Sequence, residues 1–301
     1  MWIFFAIGSL VLNSFETTTD KIALVGDKVM DYLAASFWRV FLFCLFYGLL
    51  GLTGTVGKLH IFLPLPLLII GIFCASSSIF YTKLLKQIEA TGYAVLSYMA
   101  PVLYLFVDIF IIKAHLTGLE AIGILLLASG GVMFVLNPKT FRVKKEFTPA
   151  VFGMLVYNIF INASQYYAFK YYFNRGLINE VSFYFNIWIV TLIVLVGFLV
   201  VRKKTSVTLH SLRDHKKFMA TITLSKFFDV SSSLLWLHAL AMATVSQVNA
   251  TDAVYPLMMI AVVYIAQSLF KLKAEEKFSQ GHLAFKLAGV MLLCVGGFLV
   301  R

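Results

Sequence analysis

Apolar residues run along this chain in long blocks, and polar residues are concentrated in the short segments between those blocks. A membrane-spanning helix needs about 20 consecutive, predominantly apolar residues. On this criterion the sequence predicts an all-α integral membrane protein with ten transmembrane helices. The predicted spans cover residues 2–19, 32–53, 62–82, 91–112, 117–136, 149–170, 180–201, 217–240, 245–270 and 283–300. None of the breaks is long enough to hold a soluble domain.

Composition supports burial in lipid. Of the 301 residues, 60% are hydrophobic and 13% are charged, whereas a soluble globular protein carries about 25% charged residues. We assign the net charge of +11 to loops, where basic residues contact lipid headgroups and set orientation. Nucleic acid is excluded as a partner, because no basic patch alternates with exposed aromatic residues.

Cysteine and histidine give no sign of a metal or a cofactor, and we expect neither. Cys44, Cys74 and Cys294 lie in apolar stretches, which favours small buried side chains over disulfides or metal ligands. The six histidines show no metal-ligand spacing. The N-terminal segment lacks a basic region and is interrupted by Asn13 and Glu16, so we interpret it as the first span and not as a cleaved signal peptide.

The two halves of the chain share landmarks in the same order. Each half therefore holds five spans: residues 1–137 form the first repeat, 138–148 a basic linker and 149–301 the second repeat. Because five is odd, the second repeat enters the membrane in the opposite orientation, as in alternating-access carriers. The matched positions are Gly8 and Asn13 with Gly153 and Asn158, serines 76–78 with 231–233, Pro101 with Pro256, and Gly123, Gly130 and Gly131 with Gly289, Gly296 and Gly297.

This pattern resembles the ten-helix, EamA-like form of the drug/metabolite transporter superfamily. The resemblance covers nearly the whole chain and rests on the repeat, on Pro101 and Pro256 in the fourth span of each half, and on the Gly-x6-Gly-Gly endings. It implies a central cavity lined by the first four helices of each half, with the fifth helices at the periphery. One departure is Lys113, which stands where family members often place a glutamate after the fourth helix.

Orientation stays open at this point. The resemblance implies cytoplasmic termini, but connections on the side of the termini carry five basic residues and those on the other side carry 17. The positive-inside rule therefore places both termini outside. We expect a multi-pass protein of the bacterial inner membrane, present as a monomer or a homodimer.

Polar and ionisable residues inside the predicted spans are candidates for a substrate site, because a charge there costs about 3 kcal/mol on insertion. Several of them share one face of the first, sixth, eighth or ninth span. The predicted substrate-binding residues are Asn13, Glu16, Arg39, Ser97, Tyr98, Asn158, Asn162, Gln165, Lys226, Trp236, Asn249, Asp252 and Tyr255.

Three of the carboxylates are predicted to couple transport to a proton or another cation. Glu16, Asp229 and Asp252 suit this role, because an unpaired carboxylate at low dielectric binds and releases protons near neutral pH. Arg39 and Lys226 are expected to meet a carboxylate or phosphate on the substrate. Charges of both signs favour a zwitterion such as an amino acid.

Structural roles stay open for several positions. Lys226 and Asp229 could form an ion pair within one helix, and Asp20 and Lys21 are expected at the membrane surface. Asparagines could join helices by amide hydrogen bonds, and the glycine pairs favour close packing. Pro101 and Pro256 are predicted hinges, with a static kink as the alternative.

The sequence thus predicts a secondary active transporter that moves a small polar metabolite by alternating access, with proton or cation coupling or by exchange. The alternative is efflux of lipophilic organic cations. Glu16, the following threonines and Lys21 resemble the first-helix region of small multidrug transporters, and a 16% aromatic content suits flat cations. Free cationic side chains at Arg39 and Lys226 argue against efflux unless they are paired.

Two other classes of membrane protein have less support. No motif supports a membrane-embedded enzyme, and a channel fits the predicted repeats less well than a carrier does.

Overall fold

The computed structural model describes residues 1–26, 31–54, 58–97, 117–138, 140, 142–205, 208, 215–243, 248, 251, 254–268 and 280–299. Apart from one β-bridge between Leu136 and Val143, the regular structure in these residues is helical. The helices are α1 (Trp2–Gly26), α2 (Tyr32–Thr53), α3 (Leu65–Gln87), α4 (Ala90–Ser97), α5 (Gly118–Val135), α6 (Pro149–Phe173), α7 (Glu180–Val201), α8 (Lys216–Met242), α9 (Tyr255–Ser268) and α10 (Gln280–Leu299).

Three of these helices, α2, α3 and α7, are long and apolar enough to cross a membrane by length and composition. Shorter apolar stretches lie in α5, α9 and α10. Large apolar side chains are exposed on the outside of the bundle, among them Phe4, Leu52, Leu125, Phe160 and Met291. The all-helical prediction is confirmed, and these helices indicate a membrane protein.

The start and end of individual helices follow from local chemistry. Thr148 caps α6, where its hydroxyl accepts a hydrogen bond from the Val151 amide and Pro149 follows at the first helical position. Asn179 caps α7 by accepting from the Ser182 amide at 2.8 Å. The predicted first span ends at residue 19, but α1 continues to Gly26. The helix extends past the predicted boundary, and Asp20 and Lys21 are buried inside the bundle with partners from other helices.

The core lies where α1, α2 and α3 meet α6, α7, α8 and α9. Tyr47, Phe169, Phe183, Leu237 and Met259 are fully buried members of the largest apolar cluster. Aromatic rings fill much of this cluster, and their area contributes strongly to burial. The polar residues of α1 and α8 lie along the contact between these two helices.

Helix contacts follow a rule in which the set α1–α5 is interchangeable with the set α6–α10. Helix α1 packs along α8 and α6 packs along α3, while α3 packs on α7 and α8 packs on α2. The pairs α2 with α7, α4 with α9 and α5 with α10 also contact each other. Exchanging the two sets converts each of the first four contacts into another of the four and each of the last three into itself, so corresponding helices occupy corresponding places in the packing.

Two lysines make the same contact in the two sets. Lys21 of α1 donates to the carbonyls of Leu85 (2.6 Å) and Ile88 (2.9 Å) at the end of α3. Lys170 of α6 donates to the Leu240 carbonyl (2.5 Å) and to that of the residue after α8 (2.9 Å). These accepting carbonyls are related by the 155-residue offset that also relates the serine triplets. Each lysine satisfies carbonyls that a helix end leaves unpaired.

Glycines bring α5 and α10 into backbone contact. A Cβ atom at Gly130 would lie 2.7 Å from the carbonyl oxygen of Gly289, and one at Gly296 would lie 2.7 Å from that of Gly123. No side chain fits at either position without separating the helices. The predicted packing role is confirmed for Gly130 and Gly296.

Candidate solute-binding site

Five ionisable side chains from α1, α2 and α8 meet inside the bundle, and we call them the charged cluster. Arg39 Nη2 lies 2.8 Å from Asp20 Oδ2 and 3.3 Å from Glu16 Oε1. Lys226 Nζ lies 2.8 Å from Glu16 Oε1, 3.5 Å from Asp20 Oδ2 and 2.5 Å from Asp229 Oδ2. The Asp229 side chain is 24% exposed, whereas the other four are at most 10% exposed. Asp229 is therefore the member through which the cluster reaches open space.

Hydroxyl groups complete the surroundings of the carboxylates. Ser225 donates to Asp20 Oδ1 at 2.5 Å, and Thr17 donates to Glu16 Oε2 at 2.9 Å. The Tyr81 hydroxyl lies 3.4 Å from both Glu16 oxygens, and the guanidinium of the cluster lies over the Tyr81 ring, 4.0 Å from its centroid. Buried ion pairs need such additional partners, because desolvation otherwise exceeds the attraction between the charges.

Helical spacing explains why these residues converge. Glu16 and Asp20 are four residues apart on α1, and Lys226 and Asp229 are three apart on α8, so each pair projects from one helix face. The contact between α1 and α8 turns these faces toward each other. With all five groups ionised, three carboxylates face two bases and the cluster carries one excess negative charge.

A cavity of about 160 Å³ opens beside the cluster. An apolar cavity of about 150 Å³ holds benzene, so this volume suits a solute of about six to ten non-hydrogen atoms. Residues from α1, α2, α6, α7 and α8 line it. The polar lining residues are Ser9, Asn13, Asn162, Gln165, Asp229, Ser232 and Ser233, and the apolar and aromatic ones are Leu10, Phe43, Tyr166, Tyr184, Trp188 and Trp236.

The structure brings some of the sequence-predicted site residues together, and others lie apart from them or outside the described residues. Asn13, Asn162, Gln165, Asp229 and Trp236 line the cavity. Glu16, Arg39 and Lys226 belong to the charged cluster next to it. Tyr98, Asn249, Asp252 and the predicted hinge Pro101 lie outside the described residues.

The remaining predicted residues do not line this cavity. Asn158 accepts a hydrogen bond from Ser77 at 2.8 Å and joins α6 to α3. The Tyr255 hydroxyl lies 2.9 Å from that of Thr17, and Ser97 is the last residue of α4.

Pro256, the second predicted hinge, is the second residue of α9. Residue 252, whose carbonyl a proline at this position would release, lies outside the described residues. The hinge therefore stays a prediction.

The expectation that Glu16 and Asp229 are unpaired is wrong, because Lys226 binds both. Arg39 and Lys226 are held by carboxylates of the cluster, and their contact with an anionic substrate stays a prediction. Charges that look isolated along the sequence satisfy one another once α1, α2 and α8 pack together.

Asp20 is a candidate to which the sequence reasoning gave a surface position and no site role. It is fully buried at the centre of the cluster. The adjacent Lys21 made the pair look like the end of a span, but the four-residue spacing from Glu16 already placed Asp20 on the same helix face. Ser9, Phe43, Tyr184 and Trp188 also line the site without any distinguishing signal in the sequence.

No protein-family model matches this chain, and no curated protein matches it. Among solved structures, 27 chains match. One of them, described as "Crystal structure of protein", shares 14% sequence identity with a TM-score of 0.61, over 98% of this chain and 97% of that chain. At this identity the likeness shows the fold alone: the helical arrangement of nearly the whole chain occurs in a solved protein.

Proposed function

We propose that this protein is a secondary carrier that moves a small polar solute across a membrane by alternating access. The observation that carries the proposal is a solute-sized cavity between helices of both sets, with the Asp229 carboxylate in its wall. Ligand sites of carriers lie at such repeat interfaces, near the middle of the membrane.

Ten spans in two inverted five-helix repeats are part of the proposal. Interchangeable contacts of α1–α5 and α6–α10 support the repeat, and so does the shared order of landmarks in the sequence. Two lysine contacts related by the same offset add to it. This architecture agrees with the resemblance to EamA-like drug/metabolite transporters.

The solute that we propose carries an ammonium group. Among the described residues that line the cavity, Asp229 bears the only formal charge, and five aromatic rings surround the space. Aromatic faces attract cations, and a carboxylate is a strong acceptor for N–H donors. Amino acids and similar zwitterions are one class of solute with this group.

A second candidate is efflux of lipophilic organic cations. The sequence left this function open on the condition that Arg39 and Lys226 are paired, and in the structure both are held by carboxylates. Their positive charges are thereby offset before a cation arrives.

Coupling follows from the charge of the cluster. One excess negative charge at low dielectric favours binding of one cation, either a proton or the ammonium of the solute. If the two compete, solute moves in one direction as a proton moves in the other. Glu16 and Asp229 belong to this cluster, and Asp252 keeps its predicted coupling role.

Proteoliposomes with an internal pH indicator test the proposal. We expect at least one of two probes that do not cross lipid readily, tetramethylammonium and leucine, to cause saturable proton movement through the carrier. Asp229→Asn removes the carboxylate and should abolish the signal, whereas Glu180→Gln, the same change at the start of α7, should preserve it. Equal signals from the two variants, or none from the unmodified protein with any probe, would overturn the proposal.

A further inference from the structure

We propose that the cavity takes a compact monoammonium ion and rejects the corresponding amino acid. The solute is a small amine without a carboxylate, of about six to ten non-hydrogen atoms. This inference rests on the proposed function, because it assumes that Asp229 binds the ammonium group of the solute.

The first step is the balance of charge at the cavity wall. An amino acid would bring a carboxylate into a space whose only charged lining residue, among those described, is the Asp229 carboxylate. The two nearest bases already hold carboxylates of the cluster. Arg39 is held by Glu16 and Asp20, and Lys226 by these two and by Asp229.

An incoming carboxylate therefore meets a cluster with an excess of negative charge. Like charges at a desolvated contact cost several kcal/mol, and a buried carboxylate without a cation is costly in itself. Drawing Lys226 or Arg39 toward the solute would leave Glu16 or Asp20 unpaired in the interior, at a similar cost.

The second step is the aromatic wall beside Asp229. The rings of Phe43 and Trp188 are 4.9 Å apart and those of Phe43 and Tyr184 are 6.2 Å apart, so three rings from α2 and α7 form one patch. The ammonium of Lys226 already lies 5.9 Å from the Phe43 ring centroid. A second ammonium bound at Asp229 would face the same patch, as quaternary ammonium ions do in aromatic cages.

The third step is size. A cavity of about 160 Å³ is close to the volume that holds benzene, and several of its walls are buried aromatic side chains of the core, including Trp236. Because the cavity is open on one side, a polycyclic dye would extend beyond the enclosed volume and lose contact with part of the wall. The cavity thus separates small amines from the large lipophilic cations of the second candidate function.

Leucinol and leucine form a matched pair for the test, because they share the ammonium and the side chain and differ in a hydroxymethyl group against a carboxylate. Calorimetry on the purified full chain in detergent at neutral pH gives both affinities. We expect leucinol to bind at least about tenfold more tightly than leucine and ethidium not to bind. Asp229→Asn should abolish leucinol binding, and Glu180→Gln should preserve it.

Phe43→Leu tests the aromatic patch without touching any charge. We expect it to weaken tetramethylammonium binding several-fold while Phe73→Leu, at an exposed ring on α3, leaves it unchanged. The leucinol-to-leucine ratio is measured on the unmodified protein, so it does not depend on whether any variant folds.

The outcomes separate the two proposals. Leucine binding as tightly as leucinol would overturn the monoammonium inference and leave the carrier proposal in place. Tight binding of ethidium would overturn the size argument in favour of the second candidate function. Binding of none of the probes to the unmodified protein would overturn the ammonium site and this inference with it.

Discussion

Lys226 is the residue on which the charged cluster depends. Its ammonium contacts one oxygen from each of three carboxylates, those of Glu16, Asp20 and Asp229. It donates hydrogen bonds to Glu16 and Asp229 and forms a longer ion pair, at 3.5 Å, with Asp20. The side chain is 1% exposed, and water cannot replace the contacts if the charge is lost.

Lys226→Met should therefore destabilise the protein strongly. Three carboxylates would remain with one base, and breaking a buried ion pair costs about 3–5 kcal/mol. Thermal unfolding in detergent measures the loss against Lys217→Met, the same change at an exposed position of α8. Adding Glu16→Gln to Lys226→Met should recover part of the loss. Equal unfolding temperatures for the two single variants would contradict the central role of Lys226.

At the residue scale, the sequence identifies which side chains are unusual but not which of them pair. Glu16, Arg39, Lys226 and Asp229 stand out because charges are costly inside apolar spans. Their pairing depends on the relative rotation of α1, α2 and α8, which sequence spacing within one helix does not contain. Asp20 was within reach of the spacing argument, since it lies one turn from Glu16.

At the scale of helices, Lys21 and Lys170 hold the C-terminal ends of α3 and α8. Hydrogen bonds that involve a charged group contribute about 1.5–3 kcal/mol. Lys21 is buried, whereas Lys170 is partly exposed. Lys21→Met should therefore lower the unfolding temperature more than Lys170→Met.

The control is Lys83→Met, at an exposed position of α3. We expect it to leave the unfolding temperature nearly unchanged, because a solvated lysine contributes little to stability. If Lys21→Met behaved like this control, the helix-end contact would have no energetic role.

Gly130 tests the contact between α5 and α10. A Cβ atom there would lie 2.7 Å from the Gly289 carbonyl oxygen, so Gly130→Ala must push the helices apart, at a cost of about 1–3 kcal/mol. A Cβ atom at Gly153 on α6 would meet nothing within 4 Å, and there alanine should be neutral or stabilising by up to about 1 kcal/mol. A loss of stability for Gly130→Ala alone in thermal unfolding supports the contact. Equal losses for both substitutions would contradict it.

Helix positions were largely predictable from apolar runs, and helix ends were less so. The ends of α2 and α7 match the predicted spans 32–53 and 180–201, because the only charges in these runs are Arg39 and, at the first position of α7, Glu180. Helix α1 continues past the predicted span, because Asp20 and Lys21, which look like a surface pair in the sequence, are buried in the bundle.

At the scale of the whole molecule, the described residues of two corresponding helix contacts, α1 with α8 and α6 with α3, differ in charge; we call these contacts seams. Glu16 of α1 and Lys226 of α8 correspond, by the sequence offsets, to Ile161 of α6 and Gly71 of α3. The seam between α6 and α3 is joined instead by a neutral hydrogen bond at Asn158. The two sets of helices share a packing scheme, but charged residues occupy the seam between α1 and α8.

One charged seam leads to a prediction about the transport cycle as a whole. With one excess negative charge in the cluster, binding of a single proton or a single monoammonium ion gives a neutral complex in either direction. Exchange of the two should therefore be electroneutral, with one proton moved for each tetramethylammonium.

In proteoliposomes, an imposed potassium diffusion potential should leave the initial exchange rate unchanged. An imposed pH gradient of equal driving force should accelerate it. Each charge that crosses 100 mV gains or loses about 2.3 kcal/mol, so any net charge movement would make the rate follow the potential. That dependence would show that the cluster does not bind its two cations one at a time.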